Sequence, residues 1–304
     1  MLIIPLTLTS CFAEIYDYLD KYSDRNKGER IYSYIAVAAL HNRDYAGAVD
    51  AYSHIDYLEG DMRANFMKAN YLRAEQLIVR GSYRRAIACL KAAAYYSERG
   101  SRFNQLSRFW LAESYYRDEQ YAQARQIYTD LYNTSALFGS EESGLIVYNI
   151  AYTYYKEGNY ALADKWFREY LSASSVRYRK DALERQGDCC FITKQYERAC
   201  QAYDKVLSLY FDVNDIYPYY QSGLSYGLAK NVDKKIQLLS NVLQASPEAR
   251  FYPEAMYELG RSFVRLEYQS SKAGAKALYA LDNLWDGLGA LTVVYPEIKY
   301  LFGK

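Results

Sequence analysis

The stretch Glu157–Leu171 reads EGNYALADKWFREYL, and its reading decides the fold. Gly158-Asn159 breaks one helix and starts a turn. After the turn, Tyr160, Ala163, Phe167 and Tyr170 recur at spacings of three and four, which is one apolar face of a new helix. The same phrase returns as NRDYAGAVDAY, RGSYRRAIACL, DEQYAQARQIY and TKQYERACQAY. Its leading tyrosines, Tyr45, Tyr83, Tyr121, Tyr160 and Tyr196, stand 38, 38, 39 and 36 residues apart. Three residues after each comes an alanine: Ala48, Ala86, Ala124, Ala163 and Ala199. A period of this length is an internal repeat, one helix pair per unit, with neighbouring units sharing a core.

Working outward, the phrase sets the frame of the chain. First-helix segments are expected near Ile31–Leu40, Ala64–Val79, Asn104–Arg117, Gly144–Lys156, Arg179–Ile192 and Pro218–Leu228. Second helices start at the phrase tyrosines, and Asn133–Ser143 reads as a longer link. The sixth repeat keeps its spacing but has Val232 for the tyrosine and Lys235 for the alanine, which marks it as a weak joint. Pro218, Pro247 and Pro253 fall at expected helix boundaries, where proline is tolerated. The frame is clearest over residues 31–269 of a single solenoid spanning 1–304. Residues 1–30 form a partial first repeat or an anchor, and 270–304 diverge from the phrase.

Composition excludes several functions. Lysine plus arginine number 37 against 36 acids, so the chain lacks the basic footprint of a nucleic-acid binder. Five cysteines without paired spacing argue against a disulfide framework, and Cys189, Cys190 and Cys200 read as small core residues. No P-loop, HExxH, nucleophile elbow or dinucleotide fingerprint is present, so neither catalysis nor a cofactor is expected. Of the two histidines, His54 is expected on the surface of a second helix. Tyrosine is the anomaly, at 37 copies against 11 phenylalanines. A buried phenol needs a hydrogen-bond partner, so many of these rings must reach water or a ligand.

In helix–turn–helix plan and residue pattern the repeat resembles the tetratricopeptide repeat. The residues that carry the resemblance are Ala112, Tyr115, Tyr121 and Ala124 in one repeat and Ala151, Tyr154, Tyr160 and Ala163 in the next. Gly187, Gly223 and Gly260 hold the small position later, and Arg73 and Gln186 depart from an apolar one. FREYLSAS and SPEARFYPEAMYELGRSF resemble repeats of bacterial cell-envelope proteins of the Tol–Pal and outer-membrane-assembly type. The resemblance implies an all-α, right-handed superhelical solenoid of antiparallel helix pairs that binds a protein or peptide without catalysis. It also implies a concave groove lined by first helices. Carried over by position, the groove residues are Tyr71, Phe109, Tyr116, Tyr148, Tyr152, Tyr155, Tyr217, Tyr220 and Tyr257, with Glu75, Glu113, Arg117, Lys156, Glu184, Asp188 and Arg261 among them. The carboxylate-clamp pattern is missing, because its asparagine position falls on Val37 and Glu75.

The ends invite two further expectations. Leu8-Thr9-Ser10-Cys11 resembles a lipoprotein cleavage box, which sets a lipid-anchored periplasmic assembly factor with Cys11 as its mature terminus beside the scaffold reading. Against it, no basic residue precedes the short apolar run, so Leu6–Leu19 also reads as a helix. No segment has the apolar length of a transmembrane helix. The compartment is left between cytoplasm and periplasm. Both ends are apolar, so at least one, foremost the tail with Val293, Val294, Ile298 and Phe302, is expected to be covered by self-association, a partner or further repeats.

Overall fold

The computed structural model describes residues 14–21, 23–134, 140–172, 177–212, 214–244 and 250–268. The expectations for Cys11 and for the apolar tail lie outside them. All regular elements among the described residues are helices. They fall into two compact units, residues 1–157 and 158–304.

The N-terminal unit holds α1 (14–21), α2 (Arg25–His41), α3 (Tyr45–Ser53), α4 (Gly60–Val79), α5 (Tyr83–Tyr96), α6 (Arg102–Arg117), α7 (Tyr121–Thr134) and α8 (Ser140–Lys156). From α2 to α8 each helix packs on the next, and α2 also meets α4. The C-terminal unit holds α9 (Tyr160–Ser172), α10 (Arg179–Ile192), α11 (Tyr196–Leu209), α12 (Ile216–Leu228), α13 (Val232–Val242) and α14 (Tyr252–Tyr268). Its helices pack in chain order, and α10 also meets α12.

The repeat phrase owes its turn to backbone geometry. At Ser82, Gln120, Gln195 and Asn231 the amide donates to the carbonyl five residues back, at 2.8–2.9 Å. This is the Schellman closure, and it requires a left-handed residue just before. Gly81 meets that need with φ 70°, whereas Glu119, Lys194 and Lys230 adopt it at 61–65° despite their side chains.

Helix contacts explain the alanines. Ala48, Ala86, Ala124, Ala163 and Ala199 are all fully buried. Four residues further on come Tyr52, Leu90, Tyr128, Phe167 and Tyr203, which are buried as completely. Within each unit the large side chain lies in register with a small residue of its partner helix: Tyr52 with Ala36, Leu90 with Ala74, Tyr128 with Ala112 and Tyr203 with Gly187. At Gly187 even a methyl group is excluded, since a Cβ there would lie 2.6 Å from the Tyr203 ring. Small residues let antiparallel helices approach, and the opposing ring fills the space.

His54 is not a surface residue of α3. It follows the helix end and stacks on Tyr32 at 4.6 Å and 13°, with Tyr16 at 4.9 Å. Tyr32 donates to Asp20 at 2.7 Å, and Leu19 joins the same core, so aromatic packing holds α1 on α2 and α3. Periodicity runs the second helix through His54, and gives no hint that the helix ends at Ser53 or that rings arrive from α1 and α2.

Candidate functional site

In the N-terminal unit the expected groove rings and Glu113 are half-buried, while Glu75, Arg117 and Lys156 are exposed. Tyr148, Tyr152 and Tyr155 come together along α8, with rings 4.9 and 6.0 Å apart. The others meet different rings. Tyr71 lies 5.1 Å from Phe103, Phe109 touches Trp110 and Tyr128, and Tyr116 packs 5.4 Å from Tyr121. Burial raises the Tyr71 phenol above its ordinary range, with Glu75 adding to the effect.

The C-terminal unit builds a more polar site on α10 and α12. The buried Asp188 carboxylate accepts from Tyr203 at 2.6 Å and Tyr217 at 2.5 Å through one oxygen. Its other oxygen takes the Arg185 guanidinium, which also lies 3.3 Å from Glu184 and 5.5 Å over the Tyr217 ring. Asp188 is therefore an internal anchor rather than an open groove residue. A similar pairing two repeats earlier in the sequence is Glu113, which accepts from buried Tyr128 at 3.0 Å. The rule that assigns a helix face could not show that a ring from the following helix would reach these carboxylates. Burial drives the Tyr203 phenol far above its usual range, with Asp188 reinforcing it.

Beside this anchor is an open pocket of about 800 Å³. Tyr217 lines it together with Lys180, Glu184, Arg185, Asp215 and Phe251. Lys180 pairs with Asp215 at 2.5 Å. Burial pushes the Glu184 carboxyl up to about 7, and Asp215 adds to the rise while Arg185 and Lys180 oppose it. Tyr220 stacks on Phe251 at 4.8 Å and 9°, and Tyr217 lies 5.9 Å from the same ring. Tyr257 is half-buried on α14. Of the residues expected from the sequence, Tyr217 lines this pocket and Tyr220 packs on Phe251, while Phe251, Arg177 and Arg250 in its wall were not among them. The signal for Arg250 and Phe251 was present in the phrase RFYPEA, where an aromatic residue sits in the turn before a first helix.

The three buried cysteines serve packing. Burial raises the thiols of Cys190 and Cys200 to about 11 and about 12, so both stay protonated at neutral pH. Among the described residues, no group of three His, Cys, Asp or Glu is placed to hold a metal ion.

With this geometry in place, comparison with known proteins gives the class. Residues 107–134 and 148–219 each match a tetratricopeptide repeat family model, and the chain carries such repeats. Among solved structures it is similar to YrrB, described as a tetratricopeptide protein with an unusual peptide-binding site. That match has 15% identity and a TM-score of 0.50, covering 62% of this chain and 90% of YrrB. MamA AMB-1 matches at 13% identity and a TM-score of 0.50, with 62% and 95% covered. At these identities the likeness concerns the fold.

A different likeness is short and close. Over 47 residues the chain is 79% identical to a glycine N(alpha)-acyltransferase of Bacteroides thetaiotaomicron and 77% identical to one of Phocaeicola vulgatus. The match takes in 16% of this chain and 14% of each relative's length. Among the described residues, no helix is long and apolar enough to cross a membrane.

Proposed function

We propose that the protein is a non-catalytic interaction scaffold whose tyrosine-rich first helices hold a peptide or protein partner. The observation that carries this reading is the open pocket on α10 and α12. There rigid rings, both signs of charge and hydrogen-bonding groups share one surface of about 800 Å³. Tyrosine gives large amphipathic contact area at low entropic cost, which suits a polypeptide. The fold of YrrB, with its peptide-binding site, agrees with such use. Panning a displayed random peptide library against the full chain tests the proposal. Enriched peptides should lose at least about tenfold in affinity, roughly 1.4 kcal/mol, when Arg177 and Arg250 are both changed to Glu. A library without enrichment, or peptides indifferent to both changes, would remove the support.

The 47-residue likeness favours a second reading, in which the chain takes part in acyl transfer to the amine of glycine. Incubating it with glycine and a long-chain acyl thioester, then looking for N-acylglycine by mass spectrometry, tests this directly. Product formed in proportion to protein supports transfer, and product only at the level of the protein-free control rejects it. The lipid-anchored alternative rests on Cys11 alone, and intact-mass measurement for an acylated N-terminal cysteine tests that.

A further inference from the structure

The pocket beside α10 and α12 has the same small device at two places in its wall. Arg177 and Tyr178 stand immediately before α10, and Arg250 and Phe251 stand in the same place before α14. Each arginine lies over the ring that follows it in the chain. The guanidinium of Arg177 is 5.4 Å from the Tyr178 centroid, and that of Arg250 is 4.7 Å from the Phe251 centroid. Both arginines are exposed, and both line the pocket. Phe251 holds φ 70°, a left-handed conformation that is costly for a bulky side chain. Its ring is also the one on which Tyr220 stacks.

The charges of the wall fall into two groups. Lys180 pairs with Asp215 at 2.5 Å, and Arg185 lies 3.3 Å from Glu184 and 3.5 Å from Asp181. These contacts give each of the three wall acids, Asp181, Glu184 and Asp215, a cation of the chain itself. Arg177 and Arg250 stand outside that network. Among the described residues each meets its ring and no carboxylate. A guanidinium stacked on a ring is held in place, while the N–H donors at its edge can still take a planar acceptor in pairs.

We propose that the pocket takes an acidic stretch of a partner polypeptide, with side-chain carboxylates held by Arg177 and Arg250. The proposal rests on the scaffold reading and names the class of its partner. Carboxylate suits the site better than phosphate. A phosphorylated side chain brings a charge of about −1.5 to −2, and Asp181 and Asp215 face it from the same wall. Singly charged groups, one for each arginine, meet less of that repulsion. Neither arginine lies on a first helix, so the site differs in place from the carboxylate-clamp pattern that the sequence lacks.

The test is parallel panning of the full chain and its Arg177→Glu/Arg250→Glu variant. The probe is a random dodecapeptide library joined to the coat protein through its C-termini, so that no terminal carboxylate is free. Peptides enriched on the full chain should carry more Asp and Glu than the unselected library. They should bind the variant at least about tenfold more weakly, and the variant should enrich Lys and Arg instead. Replacing one Glu of an enriched peptide by phosphoserine should not tighten its binding. Peptides that need both arginines but show no acidic excess would leave the scaffold reading standing and overturn this one. A library without enrichment would overturn both. Acidic peptides indifferent to the variant would put their site elsewhere, and a phosphoserine peptide bound at least about tenfold tighter would overturn the choice of carboxylate. Should the variant lose its helical circular dichroism, Arg177→Gln with Arg250→Gln decides: the acidic excess must vanish, and its survival overturns the proposal.

Discussion

Gly187 and Gly227 look alike in the sequence, but their surroundings give them opposite tolerance. A methyl group at Gly187 meets the Tyr203 ring, which is fully buried and tied to Asp188 at 2.6 Å. Gly187→Ala must displace that ring and lengthen its hydrogen bond, so we expect a loss of about 1–3 kcal/mol. At Gly227 the nearest atoms belong to the flexible Lys235 stem, which can swing aside. Gly227→Ala should therefore cost well under half as much. Urea denaturation of both variants, followed by circular dichroism, checks the contrast. Equal losses would mean that the close approach of α10 and α11 is not what position 187 serves.

Among the elements, α10 carries two buried charge arrangements with different consequences. On one side Asp164 of α9 accepts from Arg198 of α11 at 2.8 Å, Arg168 at 3.3 Å and Gln186 of α10 at 3.3 Å. One carboxylate thus links three successive helices. Asp164→Ala should destabilise the C-terminal unit by about 1 kcal/mol, because three helices lose a shared acceptor while the part-exposed Arg168 and Arg198 regain water. Thermal unfolding should show this loss, and an unchanged midpoint would contradict it. On the other side is Glu184, faced by Lys180, Asp181, Arg185 and Asp215, with its carboxyl raised from 4.5 to about 7. The folded protein then holds a proton that the unfolded chain releases across that window. The glutamate's contribution to stability is present below pH 4.5 and is lost as pH rises through about 7. Glu184→Gln should flatten this part of the stability–pH profile, and an unaltered slope would show that another group titrates there. The helices themselves were legible because turn, alanine and ring recur at fixed offsets. The charge networks were not, since Asp164, Glu184 and Asp188 look like ordinary solvated acids until neighbouring helices are placed beside them. His54 escaped for the same reason.

For the molecule as a whole, the central claim is that first-helix surfaces carry the interaction and second helices hold the stack. The buried faces of α3, α7, α9 and α11 are filled by the alanine-and-ring pattern, with Leu90 in the ring's place on α5 and Leu238, Leu239 and Val242 on α13, whereas the ring-lined surfaces lie on α8, α10 and α12. Tetratricopeptide architecture accounts for the first half of that division and leaves the second to experiment. Hydrogen–deuterium exchange of the full chain, with and without a peptide enriched by panning, measures it most directly. The account predicts new protection concentrated in α8, or in α10 and α12. Protection confined to second helices, or none at peptide saturation, would contradict it.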